Sequence, residues 1–275
     1  MNNLFDLSGK TALITGAGGL LGPKHAEALM EQGANVVLTD HHEDRVVEKC
    51  NYLNDKYGNL DCQATWAHMN VSNKQSVEEV AKQYKNVDIL INNAAKDPND
   101  YETMSEEYWY GGIDAALNGT FLCSQAFSNN MLKNGGGVIL NISSDLGVIA
   151  PDQRLYRKDG VSEELQNVKP ITYSAAKWAI VGMTKYLAVY FAKKNIRVNC
   201  LSPTGVFNNH PENFVEKLSN IIPMGRMAHI DEYKGAIIFL CSDASSYMTG
   251  ENLVIDGGKT EGAEGGGAGT QGLDN

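Results

Sequence analysis

The sequence has few cysteines, and they lack the spacing that disulfide frameworks and metal sites require. There are 5, an odd number, and none forms a CxxC pair. Their positions are Cys50, Cys62, Cys123, Cys200 and Cys241. We therefore expect reduced thiols, no metal site and a cytoplasmic protein. The opening stretch MNNLFDLSGK does not resemble a signal peptide, which agrees with this expectation.

Positive charge and long apolar runs are also scarce. The 275 residues include 23 Lys and Arg against 33 Asp and Glu, a formal net charge of −10 at pH 7. This balance argues against a nucleic acid or an anionic membrane surface as partner. A small anionic substrate stays possible, because a local basic patch can lie on an acidic protein. The longest apolar runs fall short of the roughly 20 residues that a membrane span needs.

What the sequence does contain is a regular alternation of short apolar runs with longer helical patterns. The predicted strands are residues 11–15, 35–39, 62–69, 87–92, 137–142, 196–201 and 252–257. Helical patterns occur near residues 20–32, 43–57, 73–84, 105–133 and from 172 onwards. This alternation predicts an α/β fold, a Rossmann-like doubly wound parallel sheet with helices on both faces. The length fits a single domain over residues 1–258.

A glycine-rich turn, TGAGGLLG from Thr15 to Gly22, follows the first predicted strand. Glycines there let the backbone approach a pyrophosphate, whose charge rests on the helix N-terminus. The second strand ends at Asp40, whose carboxylate can bond ribose hydroxyls and repels a 2′-phosphate. Asp40 could instead be a turn residue or a helix N-cap, but both features in one βαβ unit indicate a dinucleotide site. NAD is favoured over NADP because no Lys or Arg directly follows Asp40, and we interpret His41 and His42 as solvated turn residues.

A tyrosine and a lysine lie four residues apart in the segment YSAAK. On a helix, Tyr173 and Lys177 share one face, and a lysine ammonium stabilises the phenolate that general acid–base chemistry needs. The same spacing also occurs by chance in many proteins. The segment NISS adds Ser144 at the end of a central strand, where doubly wound sheets hold ligands and a serine can bond a substrate carbonyl.

In this order and spacing the motifs resemble the short-chain dehydrogenase/reductase family over residues 4–258. They are TGAGGLLG, Asp40, NNAA (92–95), NISS (141–144), YSAAK (173–177), RVNCLSPTGV (197–206) and MTGENLVIDGG (248–258). The resemblance implies that Tyr173 is the catalytic acid–base and that Ser144 polarises the carbonyl. It implies that Lys177 binds the nicotinamide ribose and tunes Tyr173. The implied cofactor residues are Gly16, Gly19, Leu21, Gly22, Asp40, Asn70, Val71, Asn93, Ala94, Tyr173, Lys177 and Val206.

Several positions depart from the family pattern. Leu20 replaces the middle glycine of the usual TGxxxGxG turn, so the turn reads TGxxGxxG as in the sugar-nucleotide-modifying branch. Ala116 stands at the position of the family's catalytic asparagine, which puts the usual proton relay in question. Asn118 is rotated from it by about 200° around a helix, so the role does not transfer to Asn118. Asn70 replaces the aspartate that usually meets adenine, and its side-chain oxygen can still accept a hydrogen bond.

Three segments resemble most the flagellin-modification, surface-sugar type of the family: SSDLGVIAPDQRLY, VKPITYSAAK and GRMAHIDEYKGAIIFLCSDASSYMTGENLVIDGG. This resemblance implies hydride transfer between NAD and a secondary alcohol or ketone of a sugar or sugar phosphate. Two other interpretations stay open. A 3-oxoacyl-type reductase is disfavoured by Asp40, because those reductases mostly use NADPH. A non-catalytic NAD-binding scaffold is favoured by Ala116 and disfavoured by the intact Ser144, Tyr173 and Lys177.

Residues 150–170 form an insertion that leaves the strand end at Ser144 and returns just before Tyr173, so we expect it at the mouth of the site. Its candidate substrate-binding side chains are Gln153, Arg154, Tyr156, Arg157, Lys158 and Lys169. We expect a lid over a polar, anionic, sugar-like substrate, with Arg154 or Arg157 at its phosphate or carboxylate. The alternative is a solvated surface loop. Residues 259–275 are rich in glycine, and we expect them to be disordered.

The stretch from Trp178 to Ala192 carries one charge and is apolar nearly all round. Such a helix should be buried on more than one side. We expect one side to pack on the sheet and the other on a second subunit. The family resemblance implies a homodimer or homotetramer through the helices near 105–133 and 172–194. The alternative is a helix covered by the protein's own loops.

Overall fold

The computed structural model describes residues 3–58, 60–96, 104–158 and 160–264. Within these ranges the chain builds a seven-stranded parallel sheet in the order β3-β2-β1-β4-β5-β6-β7. The strands are β1 (Thr11–Thr15), β2 (Asn35–Asp40), β3 (Ala64–His68), β4 (Ile89–Asn92), β5 (Gly137–Ile142), β6 (Ile196–Pro203) and β7 (Asn252–Ile255). This sheet confirms the predicted α/β class and its doubly wound, Rossmann-like arrangement.

Helices cover both faces of the sheet. They are α1 (Gly22–Met30), α2 (Glu43–Tyr57), α3 (Lys74–Gln83), α4 (Glu106–Ile113), α5 (Gly119–Lys133), α6 (Ile171–Phe191), α7 (Glu212–Ile221), α8 (Lys234–Cys241) and α9 (Lys259–Glu264). A π-helical turn, Asp114–Asn118, joins α4 to α5. None of the helices in the described ranges has both the length and the apolar character needed to cross a membrane.

The core forms two apolar layers because successive strand side chains point to opposite faces of a sheet. In β1, Ala12 and Ile14 pack with α1, α2 and α8, whereas Leu13 packs with α3, α5 and α6. The two layers fix the strands by burial on both sides, and the carboxyl ends of the strands meet at one edge. That edge is where the sequence places its candidate site residues.

Helices α7 and α8 are absent from the sequence-based prediction, which places no helix between β6 and β7. In α7, Phe214, Leu218 and Ile221 recur at helical spacing and pack on one small cluster. In α8 the run AIIFLC is apolar on all sides and could equally be a strand, because a short apolar run has no distinguishing period. Its burial against α1 decides its conformation.

The segment from residue 259 corrects the expectation of a disordered tail. Residues 259–264 form α9, and Lys259 is buried. The carboxylate of Asp256 holds the first turn of α9 by accepting a hydrogen bond from the Thr260 backbone N–H at 2.7 Å. Tertiary contacts therefore order a sequence whose composition alone predicts disorder. Residues 265–275 lie outside the described residues.

The described part of the insertion, residues 150–158 and 160–170, is folded onto the domain. It contains two short 3₁₀ turns, and Leu155 in the first of them is buried against Leu218 of α7. The ring of Tyr156 lies 5.7 Å from that of Phe214, centre to centre. The insertion and α7 therefore form one wall beside the carboxyl edge of the sheet.

Candidate active site

The strand order reverses between β1 and β4, and doubly wound sheets bind their ligands at such a switch point. The Thr15 hydroxyl accepts hydrogen bonds from the backbone N–H groups of Asn93 and Ala94, both at 3.0 Å. The Asn93 amide donates to the carbonyl oxygens of Thr15 and Gly16, at 3.0 and 3.1 Å. These bonds tie the end of β4 to the glycine-rich turn and leave a crevice above both.

The glycine-rich turn brings backbone, not side chains, to this crevice. Gly16 has a φ of 61°, which favours glycine, and a Cβ there would lie 2.7 Å from the Cα of Ala94. A Cβ on Gly22 would lie 2.5 Å from the Cα of Ala17, so α1 begins in close contact with the turn. The N-cap of α1, Leu21, has no hydrogen-bonding side chain. An anion in the crevice can therefore rest on the first turn of α1.

Asp40 ends β2 with its carboxylate buried at one side of the crevice. Its Oδ2 accepts a hydrogen bond from the Gly18 N–H at 3.1 Å, and its Oδ1 accepts one from the His42 N–H at 3.0 Å. Nδ1 of His41 also lies 3.1 Å from Oδ1. A carboxylate has about four acceptor positions, so Oδ2 can still accept a ribose hydroxyl. Sequence reasoning missed Arg45, which lines the same cleft: a Cβ on Gly18 would lie 2.7 Å from the Cβ of Arg45. A basic residue in the first turn of α2 was the available signal.

The crevice is a cleft of 730 Å³. Of the predicted cofactor residues, those that line it are Gly16, Gly19, Leu21, Asp40, Asn70, Val71, Asn93, Ala94, Tyr173 and Lys177. Gly22 instead packs beneath the turn, and Val206 lines a neighbouring cavity. Asp114, which the sequence analysis did not single out, also lines the cleft.

Helix α6 brings Tyr173 and Lys177 to the carboxyl edge of the sheet. The Ser143 hydroxyl donates a hydrogen bond to the backbone carbonyl of Lys177 at 2.8 Å. The Lys177 ammonium is buried and donates to the carbonyl of Ile142 at 2.7 Å. These two bonds fasten α6 to the end of β5. Lys177 Nζ lies 5.5 Å from the centre of the Tyr173 ring, close enough to favour a phenolate electrostatically.

Ser144 is the second residue after β5 and is buried. Its hydroxyl donates a hydrogen bond to Oδ1 of Asp145 at 2.7 Å and accepts one from the Leu146 N–H at 3.2 Å. Ser144 and Tyr173 line the same cavity, as the sequence predicts. No pattern in the sequence indicates that the serine hydroxyl donates a hydrogen bond to the next residue, Asp145.

Ala116 is buried in the π-helical turn between α4 and α5. Its backbone carbonyl accepts a hydrogen bond from the Thr120 hydroxyl at 2.7 Å, and its methyl side chain can hold no relay water. Asn118 is exposed and donates to the carboxylate of Asp114. The position of Asn118 therefore gives no reason to assign it the role of the family's catalytic asparagine. π-Turns often occur at functional sites because they shift the helical register locally.

A second cavity, of 610 Å³, adjoins the cleft. Tyr173 borders both, together with Leu20, Leu21 and Pro203. The outer wall comes from the insertion and α7. Its lining side chains include the cations Arg157, Lys158, Lys169 and Lys259 and the carboxylates Asp145 and Asp152. This balance favours a polar or anionic ligand despite the protein's net negative charge.

The predicted substrate residues divide into two groups. Ser144, Tyr156 and Arg157 line the second cavity. Arg154 instead forms a bidentate ion pair with Asp152, with its Nε 3.0 Å from Oδ1 and its Nη2 2.8 Å from Oδ2. These bonds hold the pKa of Asp152 below its ordinary value. Arg154 therefore acts on the cavity through Asp152, which lines the wall.

Comparison with known proteins agrees with this geometry. The family described as enoyl-(acyl carrier protein) reductase matches residues 18–260. An NAD-dependent glycerol dehydrogenase of Listeria innocua is 35% identical over 267 residues, 93% of this chain and 96% of the relative. A D-threitol dehydrogenase of Mycolicibacterium smegmatis is 32% identical over 267 residues, 93% of this chain and 95% of the relative.

A solved structure shows the same fold with ligands bound. It is a gluconate 5-dehydrogenase from Burkholderia cenocepacia in complex with NADP and tartrate, 28% identical, with a TM-score of 0.82 over 94% of this chain and 98% of that one. These relatives match this chain over nearly the whole length of both proteins. The match therefore includes the sheet, the glycine-rich turn and the helix that carries Tyr173 and Lys177. This chain belongs to the short-chain dehydrogenase/reductase family and is an oxidoreductase that acts on alcohols.

Proposed function

We propose that the protein transfers hydride between NAD and a secondary alcohol or ketone of a polyhydroxylated substrate, a sugar, sugar phosphate or related polyol. The observation that carries this proposal is the position of Tyr173, at the junction of the cleft and the cation-lined second cavity. One cavity holds the cofactor and the other the substrate, and the acid–base lies between them. We place the reaction in surface-glycan precursor synthesis on the sequence resemblance alone.

The cleft fits NAD through its own residues. Gly16 lets the turn lie against Ala94 and present bare backbone to a pyrophosphate, and Asp40 offers a carboxylate oxygen to a ribose. Lys177 presents a buried ammonium at the inner end of the cleft, where it can bond the other ribose. When bound, the oxidised nicotinamide accepts the hydride that leaves the alcohol carbon.

Tyr173, Ser144 and Lys177 act on the proton and oxygen of the substrate hydroxyl. Tyr173 as phenolate accepts the proton of the substrate hydroxyl while the carbon loses its hydride, and a carbonyl results. The Ser144 hydroxyl, which donates to Asp145 in the unliganded protein, turns to donate a hydrogen bond to the same oxygen and holds it in place. The ammonium of Lys177 favours the phenolate that begins this step. In the reverse direction Tyr173 donates the proton and the carbonyl becomes an alcohol.

The wall of the second cavity supports this substrate class. Arg157 and Lys169 suit a phosphate, a carboxylate or a row of hydroxyls, and Tyr156 adds a further hydrogen-bonding group. Glycerol and D-threitol, for which two relatives are named, and the tartrate in a structural neighbour are also polyhydroxylated molecules. We infer that residues 150–170 form the lid over this substrate.

The alternatives make different demands on the same cavity. A 3-oxoacyl-type reductase, the activity for which two further relatives at 31% and 32% identity are named, must seat a thioester and its chain. The charged wall disfavours this. A non-catalytic NAD-binding scaffold needs no acid–base, yet Ser144, Tyr173 and Lys177 converge on one edge of the sheet. Only Ala116 favours the scaffold.

The test is NADH formation from a panel of polyols, sugars and sugar phosphates, alongside NADPH oxidation with a 3-oxoacyl thioester. We expect turnover with a member of the first panel and a loss of at least about a hundredfold in kcat for Tyr173→Phe, since general acid–base catalysis contributes that much. NAD binding should persist in Tyr173→Phe, measured by fluorescence titration. Turnover confined to the thioester, or NAD binding with no turnover, would overturn the proposal.

A further inference from the structure

We propose that Asp145 and Lys259 form a positioning pair for Ser144, in which Asp145 fixes the position of the serine oxygen in the site and Lys259 cancels the carboxylate's charge beside the reacting oxygen. This inference rests on the proposed function, because it assigns two further residues to the same site. It also makes the segment after the last strand a part of the active site.

The contacts around Asp145 form a closed set. Its Oδ1 accepts hydrogen bonds from the Ser144 hydroxyl at 2.7 Å and from the Leu146 N–H at 2.8 Å. Its Oδ2 accepts from the Lys259 ammonium at 2.8 Å and from the Thr204 hydroxyl at 2.7 Å. Asp145 and Lys259 are both buried, at 3% and 8% exposure. Oδ1 of Asp145 is therefore bonded to the serine, and Oδ2 is bonded to the Lys259 ammonium.

The chain after β7 is built to deliver Lys259 to this place. Gly257 and Gly258 have φ values of 65° and 89°, which turn the backbone back towards the sheet edge. Asp256 then accepts hydrogen bonds from the backbone N–H groups of Gly258 and Thr260, at 2.9 and 2.7 Å. The first residue of α9 consequently points its side chain at Asp145, 114 positions earlier in the sequence.

The pair faces the substrate cavity as well as the core. Ser144, Asp145, Thr204 and Lys259 all line the second cavity together with Tyr173. A salt bridge with a purely structural task could lie anywhere in the core. This one is hydrogen-bonded directly to the serine that is to hold the reacting oxygen.

The charge balance gives the pair its chemical consequence. A lone Asp145 carboxylate beside the site would oppose the Tyr173 phenolate and a developing alkoxide, and a lone Lys259 would favour both. Paired, they leave the site near neutral while the serine oxygen keeps its position. The other charged or titratable groups facing this region are Asp152, Tyr156, Arg157, Lys158, Lys169, Lys177, His210, Tyr233 and Asp256. All of them stay in place when only the pair is changed.

The experiment uses four full-length variants, Lys259→Met, Asp145→Asn, the double variant and Lys259→Arg. Two midpoints are measured: that of the pH–rate profile for alcohol oxidation, and that of the Tyr173 phenolate titration by near-ultraviolet absorbance. The second is taken as the difference from the matching Tyr173→Phe protein. Lys10→Met, which removes a lysine from an exposed ion pair, is the matched control. Thermal unfolding identifies variants that fail to fold.

Both midpoints should rise in Lys259→Met and fall in Asp145→Asn, each by on the order of one pH unit. They should return close to wild type in the double variant and in Lys259→Arg. Lys10→Met should leave them unchanged. Single-variant midpoints that stay at the wild-type value, or move in the same direction, overturn the proposal even if thermal stability falls. The phenolate titration needs neither cofactor nor substrate, so it decides the pair's role even where no substrate turns over.

Discussion

The ammonium of Lys169 lies 3.8 Å from the centre of the Tyr173 ring. Lys169 belongs to the insertion, and Gln153 from the start of that insertion binds its backbone twice. The Lys169 N–H donates to Oε1 of Gln153 at 2.9 Å, and Nε2 of Gln153 donates to the Lys169 carbonyl at 3.4 Å. These two hydrogen bonds join the two ends of the insertion and place the Lys169 ammonium over the ring of Tyr173. A second lysine, besides Lys177, thus acts on Tyr173.

Replacing Lys169 with Met should make the Tyr173 phenolate harder to form. A cation over an aromatic face contributes about 0.5–2 kcal/mol, so we expect the midpoint of alcohol oxidation to rise by roughly 0.4–1.5 pH units. The phenolate titration should show the same shift without substrate. Lys158→Met is the matched control, because Lys158 lines the same cavity from the same insertion. Equal shifts in the two variants would mean that proximity to the ring is not the cause.

We expect Asp40 to set the preference between NAD and NADP. In a variant that lacks Asp40, Arg45 should determine how well NADP is used. We expect the wild type to prefer NAD over NADP by at least about tenfold in kcat/KM, because a 2′-phosphate beside the carboxylate costs several kcal/mol. Asp40→Ala should erode the preference, since Arg45 can then meet the phosphate.

The double variant Asp40→Ala/Arg45→Gln tests the arginine's part. It should lose the NADP activity that Asp40→Ala gains while keeping its activity with NAD. Steady-state kinetics with both cofactors at saturating substrate would measure this. A wild type that uses both cofactors equally well would contradict the assignment of Asp40.

The lid proposal separates the two arginines of the insertion. Arg157 lines the substrate cavity, whereas Arg154 is paired with Asp152. Arg157→Gln should raise the substrate KM by about tenfold, the loss of one charge-assisted hydrogen bond, and leave the NAD dissociation constant nearly unchanged. Arg154→Gln should have a smaller effect on KM. Unaltered kinetics for a confirmed substrate in the variant lacking both arginines would remove the lid from consideration.

The outer face of α6 should pack on a second copy of the chain. Trp178, Tyr186, Val189 and Tyr190 are 52%, 69%, 82% and 55% exposed, although the helix packs on the sheet with its other side. No loop in the described ranges covers this face, and a stable interface buries about 1,200–2,000 Å² in total. We therefore expect a homodimer or homotetramer in sedimentation at micromolar concentration.

The variant Tyr186→Asp/Val189→Asp should lower the sedimenting mass, because unpaired carboxylates in an apolar interface are costly. Leu60→Asp introduces a carboxylate at an exposed apolar position between α2 and β3 and should leave the mass unchanged. A monomeric wild type under these conditions would show that α6 has no such partner.

His25 should make the stability of the protein depend on pH. It is fully buried on α1, and burial lowers its pKa from 6.5 to about 4. Between these values the unfolded chain binds the extra proton, so stability from this group is present above about pH 6.5 and is lost as pH falls. The free energy of unfolding should therefore drop by about 2 kcal/mol more between pH 7 and pH 5 in wild type than in His25→Gln. Urea titrations measure it, and the exposed His229→Gln should behave as wild type.

The sequence by itself determined the parts that depend on local pattern. Apolar runs of strand length, each followed by a helical repeat, predicted the doubly wound sheet, and polar residues just after those runs had to meet at its carboxyl edge. Asp40 and Ser144 were placed there in this way, whereas Tyr173 and Lys177 were singled out by their spacing. The spacing of four along a helix needs no tertiary information, because the helix itself places both side chains on one face.

Only the tertiary structure decided the contacts between distant segments. Composition predicted disorder from residue 259, yet the turn after β7 and the carboxylate of Asp145 bury Lys259 and order α9. Neither the position of Arg45 against Gly18 of the glycine-rich turn nor the packing of Leu155 on Leu218 follows from a local period, because each contact joins segments far apart in the sequence. A sequence pattern specifies which face a side chain takes on its own element. The side chain that it meets there is set by the order in which the strands assemble and by the loops that close over their ends.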